Sequence, residues 1–127
     1  MIAKSVNHIT FAVRNLERAQ SFYEGVLGLE QIERPDFGIP GTWYGAGNAQ
    51  VHLIEVPDGT DIGTPPPGLI PLANHQAFTV ADYTETLAAL NSHGIEVFET
   101  SPENGQLFVR DPDGYVIELI AEGARPR

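Results

Sequence analysis

The sequence predicts an α+β fold in which two βαβββ modules, joined in one chain, form a cupped mixed sheet with the helices outside. Three observations carry that expectation. Val6-Asn7-His8-Ile9-Thr10-Phe11-Ala12-Val13 returns as Ala73-Asn74-His75-Gln76-Ala77-Phe78-Thr79-Val80, with Asn, His, Phe and Val superposed at a spacing of 67 residues. Self-similarity at a fixed spacing marks a duplicated fold unit. Gly28-Leu29-Glu30 then matches Gly94-Ile95-Glu96 at a spacing of 66, as expected from one residue gained or lost around a helix. Between the copies, residues 57–72 hold five prolines and three glycines and follow neither structural period, which makes them a linker. The reading is one domain over residues 1–127, with module one at 5–56, the linker at 57–72 and module two at 73–122.

Each element follows from local chemistry. Val6 to Val13 is rich in β-branched and aromatic residues and reads as a strand. Its period of two sends Ile9, Phe11 and Val13 to one face and His8, Thr10 and Ala12 to the other. Asn15 is placed to accept from backbone N–H groups as an N-cap, and Leu16, Ala19, Tyr23 and Leu27 recur at helical spacing up to the stop at Gly28. Strands follow at Leu29 to Arg34, Thr42 to Ala46 and Gln50 to Val56, the last two joined by a turn at Gly47-Asn48. Module two repeats the order. A strand runs from Asn74 to Val80, and a helix opens at Asp82 with Glu85 three residues on, a capping-box-like pair, and stops at Gly94. Strands at Ile95 to Glu99, Gln106 to Arg110 and Tyr115 to Ala121 complete it, with Asp111-Pro112-Asp113-Gly114 as the last turn.

Charge and composition remove several functions. Seventeen acids against seven Lys and Arg give a net charge of −10 with no basic stripe, which argues against nucleic acid and anionic membranes as partners. The absence of cysteine leaves histidine and carboxylate as the only strong ligands for a transition metal. Met1-Ile2-Ala3-Lys4 lacks the regions of a signal peptide, and no apolar run reaches the roughly 18 residues of a membrane span, so a soluble, cytoplasmic protein is expected.

Carried to the last strands, the repeat lays Val51-His52-Leu53-Ile54 on Ile117-Glu118-Leu119-Ile120 and makes His52 and Glu118 equivalent. Both share a strand face with apolar residues, where a carboxylate needs a compensating partner. Taken singly, His8 reads as a strand histidine bonded to backbone. Taken with the repeat, His8, His75 and Glu118 read as a metal site, with His52 as its fourth ligand. His93 sits by a helix end, where a cation is simply favourable, and Glu55 has the wrong parity and reads as a solvated or helix-facing acid. Trp43, Tyr44, Phe108, Arg110 and Tyr115 lie near the proposed cup without an assigned role.

The duplicated βαβββ units, Asn7-His8-Ile9-Thr10-Phe11-Ala12-Val13, Phe22-Tyr23-x-x-Val26-Leu27-Gly28 and Asp111-Pro112-Asp113-Gly114-Tyr115-Val116-Ile117-Glu118-Leu119 resemble the vicinal oxygen chelate superfamily over about residues 5 to 122. That superfamily includes glyoxalase I, bleomycin-resistance proteins, fosfomycin-resistance enzymes, methylmalonyl-CoA epimerase and extradiol dioxygenases. The resemblance implies a glyoxalase-like fold and one divalent metal ion (Ni, Co, Mn, Zn or Fe(II)) held by the first and fourth strands, at His8, His52, His75 and Glu118. It implies a small-molecule substrate that chelates the metal through neighbouring oxygens, lyase, isomerase or dioxygenase chemistry, and a homodimer. Glu118, the only carboxylate of the set, is the candidate catalytic ligand that also relays a proton. Glyoxalase I enzymes carry a carboxylate where this chain has His52, which points away from a standard glyoxalase I acting on a glutathione hemithioacetal. The alternative is a metal-free small-molecule binder of the bleomycin-resistance type.

Overall fold

A computed structural model of the chain describes residues 1–125. The chain divides into two compact units, the first spanning Met1–Gly63 and the second beginning at Thr64, a boundary inside the Pro/Gly-rich segment. Unit one runs β1 (His8–Val13), α1 (Leu16–Tyr23), β2 (Glu30–Ile32), β3 (Gly41–Ala46) and β4 (Ala49–Glu55). Unit two runs β5 (His75–Val80), α2 (Tyr83–Ser92), β6 (Phe98–Glu99), β7 (Gln106–Arg110) and β8 (Val116–Ala121). Both are βαβββ modules. Each builds its own four-stranded mixed sheet, in the order β1-β4-β3-β2 and β5-β8-β7-β6, with the first strand parallel to the last and the rest antiparallel. Among the described residues no helix is long and apolar enough to cross a membrane.

The registers reproduce the internal repeat. Thr10 lies opposite His52 and Ala77 opposite Glu118, while His8 is paired with Gln50 and His75 with Val116. Sheet parity then separates two faces. On the helix side, Phe11, Val13, Val51 and Leu53 of unit one and Ile117 and Leu119 of unit two are buried. Phe11 stacks on Tyr23 of α1 at 5.2 Å between ring centres, which fixes this as the face that packs on the helix. Full burial of a side chain such as Leu53 is worth about 1.5–3 kcal/mol. His8, His52, His75 and Glu118 are left to the opposite, inner faces.

The helix starts are held as expected. Asn15 Oδ1 accepts from Arg18 N–H at 2.9 Å and Asp82 Oδ2 from Glu85 N–H at 2.8 Å. Glu55 is a helix-facing acid: its Oε2 accepts from Leu16 N–H at 2.8 Å and so caps α1 from the end of β4. Three elements are shorter than the sequence suggests, and β2 keeps only Glu30–Ile32 of the expected Leu29 to Arg34. Regular helix in α1 ends at Tyr23, because Gly25 weakens the next turn, and the chain reaches Gly28, at φ 75°, through irregular bonds such as Leu27 N–H to Phe22 O. β6 keeps only Phe98 and Glu99, which alone find partners on β7, opposite Phe108 and Leu107.

Candidate functional site

Module two assembles an imidazole–carboxylate pair. Glu118 is buried at 7% exposure in the middle of β8, and its two oxygens find separate partners. Oε1 lies 3.0 Å from His75 Nε2, and Oε2 accepts from Gln106 Nε2 at 3.3 Å. The other ring nitrogen of His75 is committed to backbone, with Nδ1 at 2.7 Å from Ala73 O. A carbonyl only accepts, so Nδ1 carries the proton and Nε2 of a neutral ring presents a lone pair. Facing a carboxylate lone pair at 3.0 Å, that nitrogen requires a cation as well, either a proton or a metal ion. Phe108, opposite Glu118 on β7, meets the His75 ring edge to face at 5.5 Å, and Phe98 meets Phe108 at 6.1 Å. These rings wall the pair with apolar surface.

The pair fits a divalent ion in donor type and in spacing. Two donors each about 2.1 Å from a shared ion, at adjacent corners of an octahedron, lie about 3.0 Å from each other. A backbone-anchored Nδ1–H behind the ligating nitrogen is the usual support of a metal-bound histidine, since it fixes both tautomer and ring direction.

Module one places its two histidines together in a different way. His8 stacks on His52 with ring centres 4.1 Å apart and planes inclined by 17°, and Trp43 stacks on His52 at 4.1 Å and 4°. His52 is thus the middle of three layers. His8 Nδ1 is hydrogen-bonded to Asn7 Oδ1 at 2.7 Å and His52 Nε2 to Gln50 Oε1 at 2.8 Å. The His52 pKa is pushed below the ordinary imidazole value, first by burial and then by the neighbouring charges of His8 and Arg34. An ion held by both rings must lie in both ring planes, and planes this close to parallel meet only beyond roughly 10 Å, far past a ~2.1 Å metal–imidazole bond. As the rings stand, one of them must turn before both can serve one ion.

The structure therefore brings His8 to His52 within module one and His75 to Glu118 within module two. Among the described residues, no group of three or more His, Cys, Asp or Glu gathers at metal-binding distance. Trp43 and Phe108, left without a role by sequence reasoning, touch the site histidines. Their parity carried the signal: the two-residue turn Gly47-Asn48 fixes Trp43 opposite His52. Tyr44 belongs to the other face, where its buried hydroxyl donates to Glu24 Oε2 at 2.7 Å and burial pushes its pKa well up. Arg110 lies 3.5 Å from Glu96.

Comparison with known proteins agrees with the fold. The family model described as the Glyoxalase/Bleomycin resistance protein/Dioxygenase superfamily matches residues 5–119. The chain is 29% identical to glyoxylase I 4 of Arabidopsis thaliana over 121 residues, covering 91% of this chain and 69% of that protein. It is 30% identical to lactoylglutathione lyase of Escherichia coli O157:H7 over 129 residues, covering 91% and 90%. Its fold is similar to that of a glyoxalase family protein from Bacillus anthracis, with a TM-score of 0.76 at 25% identity and coverage of 95% and 97%, and to that of glyoxalase I from Leishmania major, with a TM-score of 0.75 at 24% identity and coverage of 94% and 88%.

Proposed function

The chain belongs to the Glyoxalase/Bleomycin resistance protein/Dioxygenase superfamily, and from that membership we propose that it is a divalent-metal-dependent enzyme acting on a small oxygenated substrate. The proposed ligands are His75 and Glu118 in module two and His8 and His52 in module one. One observation carries the reading: the Nε2 lone pair of His75 is held 3.0 Å from Glu118 Oε1 by a proton committed to Ala73 O. A buried carboxylate and an imidazole lone pair aimed at each other are costly when empty and are satisfied by a cation. When bound, the ion supplies Lewis-acid stabilisation of charge developing on a chelating substrate oxygen.

The chain's own residues do the rest. The Ala73 carbonyl holds the His75 ring in one tautomer, and Gln106 orients the second oxygen of Glu118. Phe108 covers one side of the His75 ring with an edge-to-face contact. Glu118, as the only carboxylate of the set, is the group that takes a proton from a substrate carbon or hydroxyl and returns it at a neighbouring atom. That chemistry suits isomerisation, epimerisation or lyase reactions of the kind named for the relatives. His52 in place of a second carboxylate lowers the negative charge of the set and separates the chain from a glutathione-hemithioacetal glyoxalase. A homodimer in the cytoplasm is the proposed state.

The test is metal analysis of protein purified without chelator, followed by thermal unfolding with added Ni, Co, Mn, Zn or Fe(II). Stoichiometric metal and a rise in Tm, both absent in a His75→Ala, Glu118→Gln variant, are expected. No metal and no change in Tm would end the reading. The three-ring stack of module one and the net charge of −10 favour one rival, a metal-free binder of a bulky cationic molecule of the bleomycin-resistance type. Tight binding of a cationic glycopeptide by metal-free protein, unchanged by that double substitution, would establish it instead.

A further inference from the structure

The residue that neither the repeat nor the metal site uses is Arg34. Ile32 lies opposite Trp43, which lies opposite His52, and Arg34 follows two residues beyond the end of β2. The guanidinium crosses over Gly41: a Cβ on Gly41 would stand 2.7 Å from its Nη2 and 2.8 Å from its Cζ. The same Cβ would stand 2.5 Å from the backbone oxygen of Leu53, so the strand requires glycine here and the guanidinium occupies the space it leaves. Phe37, 56% exposed, lies over the guanidinium with 5.1 Å from Cζ to the ring centre, and its ring is 6.0 Å from that of Trp43. Arg34 is therefore seated next to the Trp43–His52–His8 stack.

Its polar groups have been left without acceptors. Nε is buried with no hydrogen-bond partner, and among the described residues the guanidinium makes neither a hydrogen bond nor an ion pair. This happens in a chain with seventeen acids, two of which, Glu33 and Asp36, are near neighbours in sequence. Asp36 turns instead to Gly38 N–H at 2.8 Å. A half-buried arginine in such a chain normally finds a carboxylate, because an unmet donor is costly and a charge-assisted pair is strong.

Module two provides the control. The counterpart of Arg34 is Thr100, whose hydroxyl donates to Gln106 O at 2.7 Å and accepts from Gln106 N–H at 3.2 Å. The counterpart of Gly41 is Gln106, whose side chain reaches Glu118. Those positions are closed on themselves in module two and open in module one. We propose that Arg34 is the anion anchor of module one, taking a small oxyanion of the substrate, of the carboxylate or phosphate type, on its guanidinium N–H groups beside Trp43. Its planar fork matches the two oxygens of such a group, which a lysine ammonium does not.

The proposal rests on the reading that the inner face of module one meets substrate, and it is tested without metal so that the two can fail separately. Trp43, the only tryptophan of the chain, is the reporter. Chelator-treated protein is titrated with sodium acetate and with inorganic phosphate, against sodium chloride of equal ionic strength, while tryptophan fluorescence is followed. A saturable change beyond that of chloride is expected, and whether acetate or phosphate produces it assigns the class. Arg34→Met should weaken it by at least about tenfold, Arg34→Lys should recover part of it, and Arg110→Met should leave it unchanged. A second readout needs no variant: the Arg34 Nε–H resonance should shift on adding the same anion. No response above chloride in the parent protein, an unshifted Nε–H, or an Arg34→Met response equal to the parent's would overturn the assignment. Anion binding that persists in a protein shown to take no metal would leave Arg34 as assigned and remove the metal reading alone.

Discussion

Row for row, the inner faces of the two modules share a backbone and differ in almost every side chain. Module two sets Glu118 between Ala77 and Phe108; module one sets His52 between Thr10 and Trp43. Gln106 supports the carboxylate in the first case, and Gly41 gives up its place to Arg34 in the second. The outcome is one module with a hydrogen-bonded N,O donor pair and another with stacked imidazole and indole rings beside the Arg34 cation. On the helix side the first and last strands match closely, with Phe11, Val13, Val51 and Leu53 equivalent to Phe78, Val80, Ile117 and Leu119, while Thr42 and Tyr44 of β3 give way to Leu107 and Val109 of β7. Duplication has kept the paired first and last strands alike on the helix side and let the opposite face diverge.

The largest effects should fall on the donor pair. In metal titrations by calorimetry, His75→Ala or Glu118→Gln should lower affinity by well over ~100-fold, beyond the range that outer partners produce. His52→Gln should cost less, because its ring has to leave the stack before it can ligate. Equal losses at His52 and His75 would erase the distinction between the modules. The helix-side layer should respond alike in both: Leu53→Ala and Leu119→Ala are each expected to destabilise by about 2–5 kcal/mol in urea unfolding, and a wide gap between them would break the equivalence of the two cores.

Smaller differences sharpen the contrast at the edges. Glu55 caps α1 from β4, whereas its register counterpart in module two is Ala121. Glu55→Ala should cost about 1 kcal/mol, visible as a lowered Tm with the metal site untouched. The last effect is a pH dependence from His52 in module one. Because the folded pKa of His52 is depressed below the unfolded value of 6.5, the unfolded chain binds more protons as pH falls. Stability held above pH 6.5 is lost as pH drops from there through the lower folded value. Unfolding of metal-free protein between pH 7.5 and about 5 should show this slope, and His52→Gln should flatten it.

Much of this was legible in the chain. The superposition of His8 on His75 and of His52 on Glu118 is the structural equivalence, since the pairing registers repeat it residue by residue. The caps at Asn15 and Asp82 were readable from side chains that mimic a backbone acceptor, whereas strand parity left Glu55 as either a solvated or a helix-facing acid, which its bond to Leu16 N–H decides. What escaped depends on rotamers and on neighbours across a sheet. The His8–His52–Trp43 stack is set by χ angles that no periodicity encodes, although the tight turn at Gly47 already placed Trp43 beside His52. Arg34 lies past the end of β2 and becomes meaningful only once the missing side chain at Gly41, on another strand, is seen under it. The shortened β6 follows from where β7 begins and ends, which is again non-local.

The parallel pairing of first strand with last has a consequence in time. Each histidine strand is made at the start of its module, yet the neighbour that fixes it is made at the end; the contact of His75 with Glu118 closes a separation of 43 residues. Closure over that span is paid in chain entropy before any reward is collected, so such topologies fold slowly. During synthesis a half-made module two therefore displays the His75 imidazole with no carboxylate opposite it until β8 has docked.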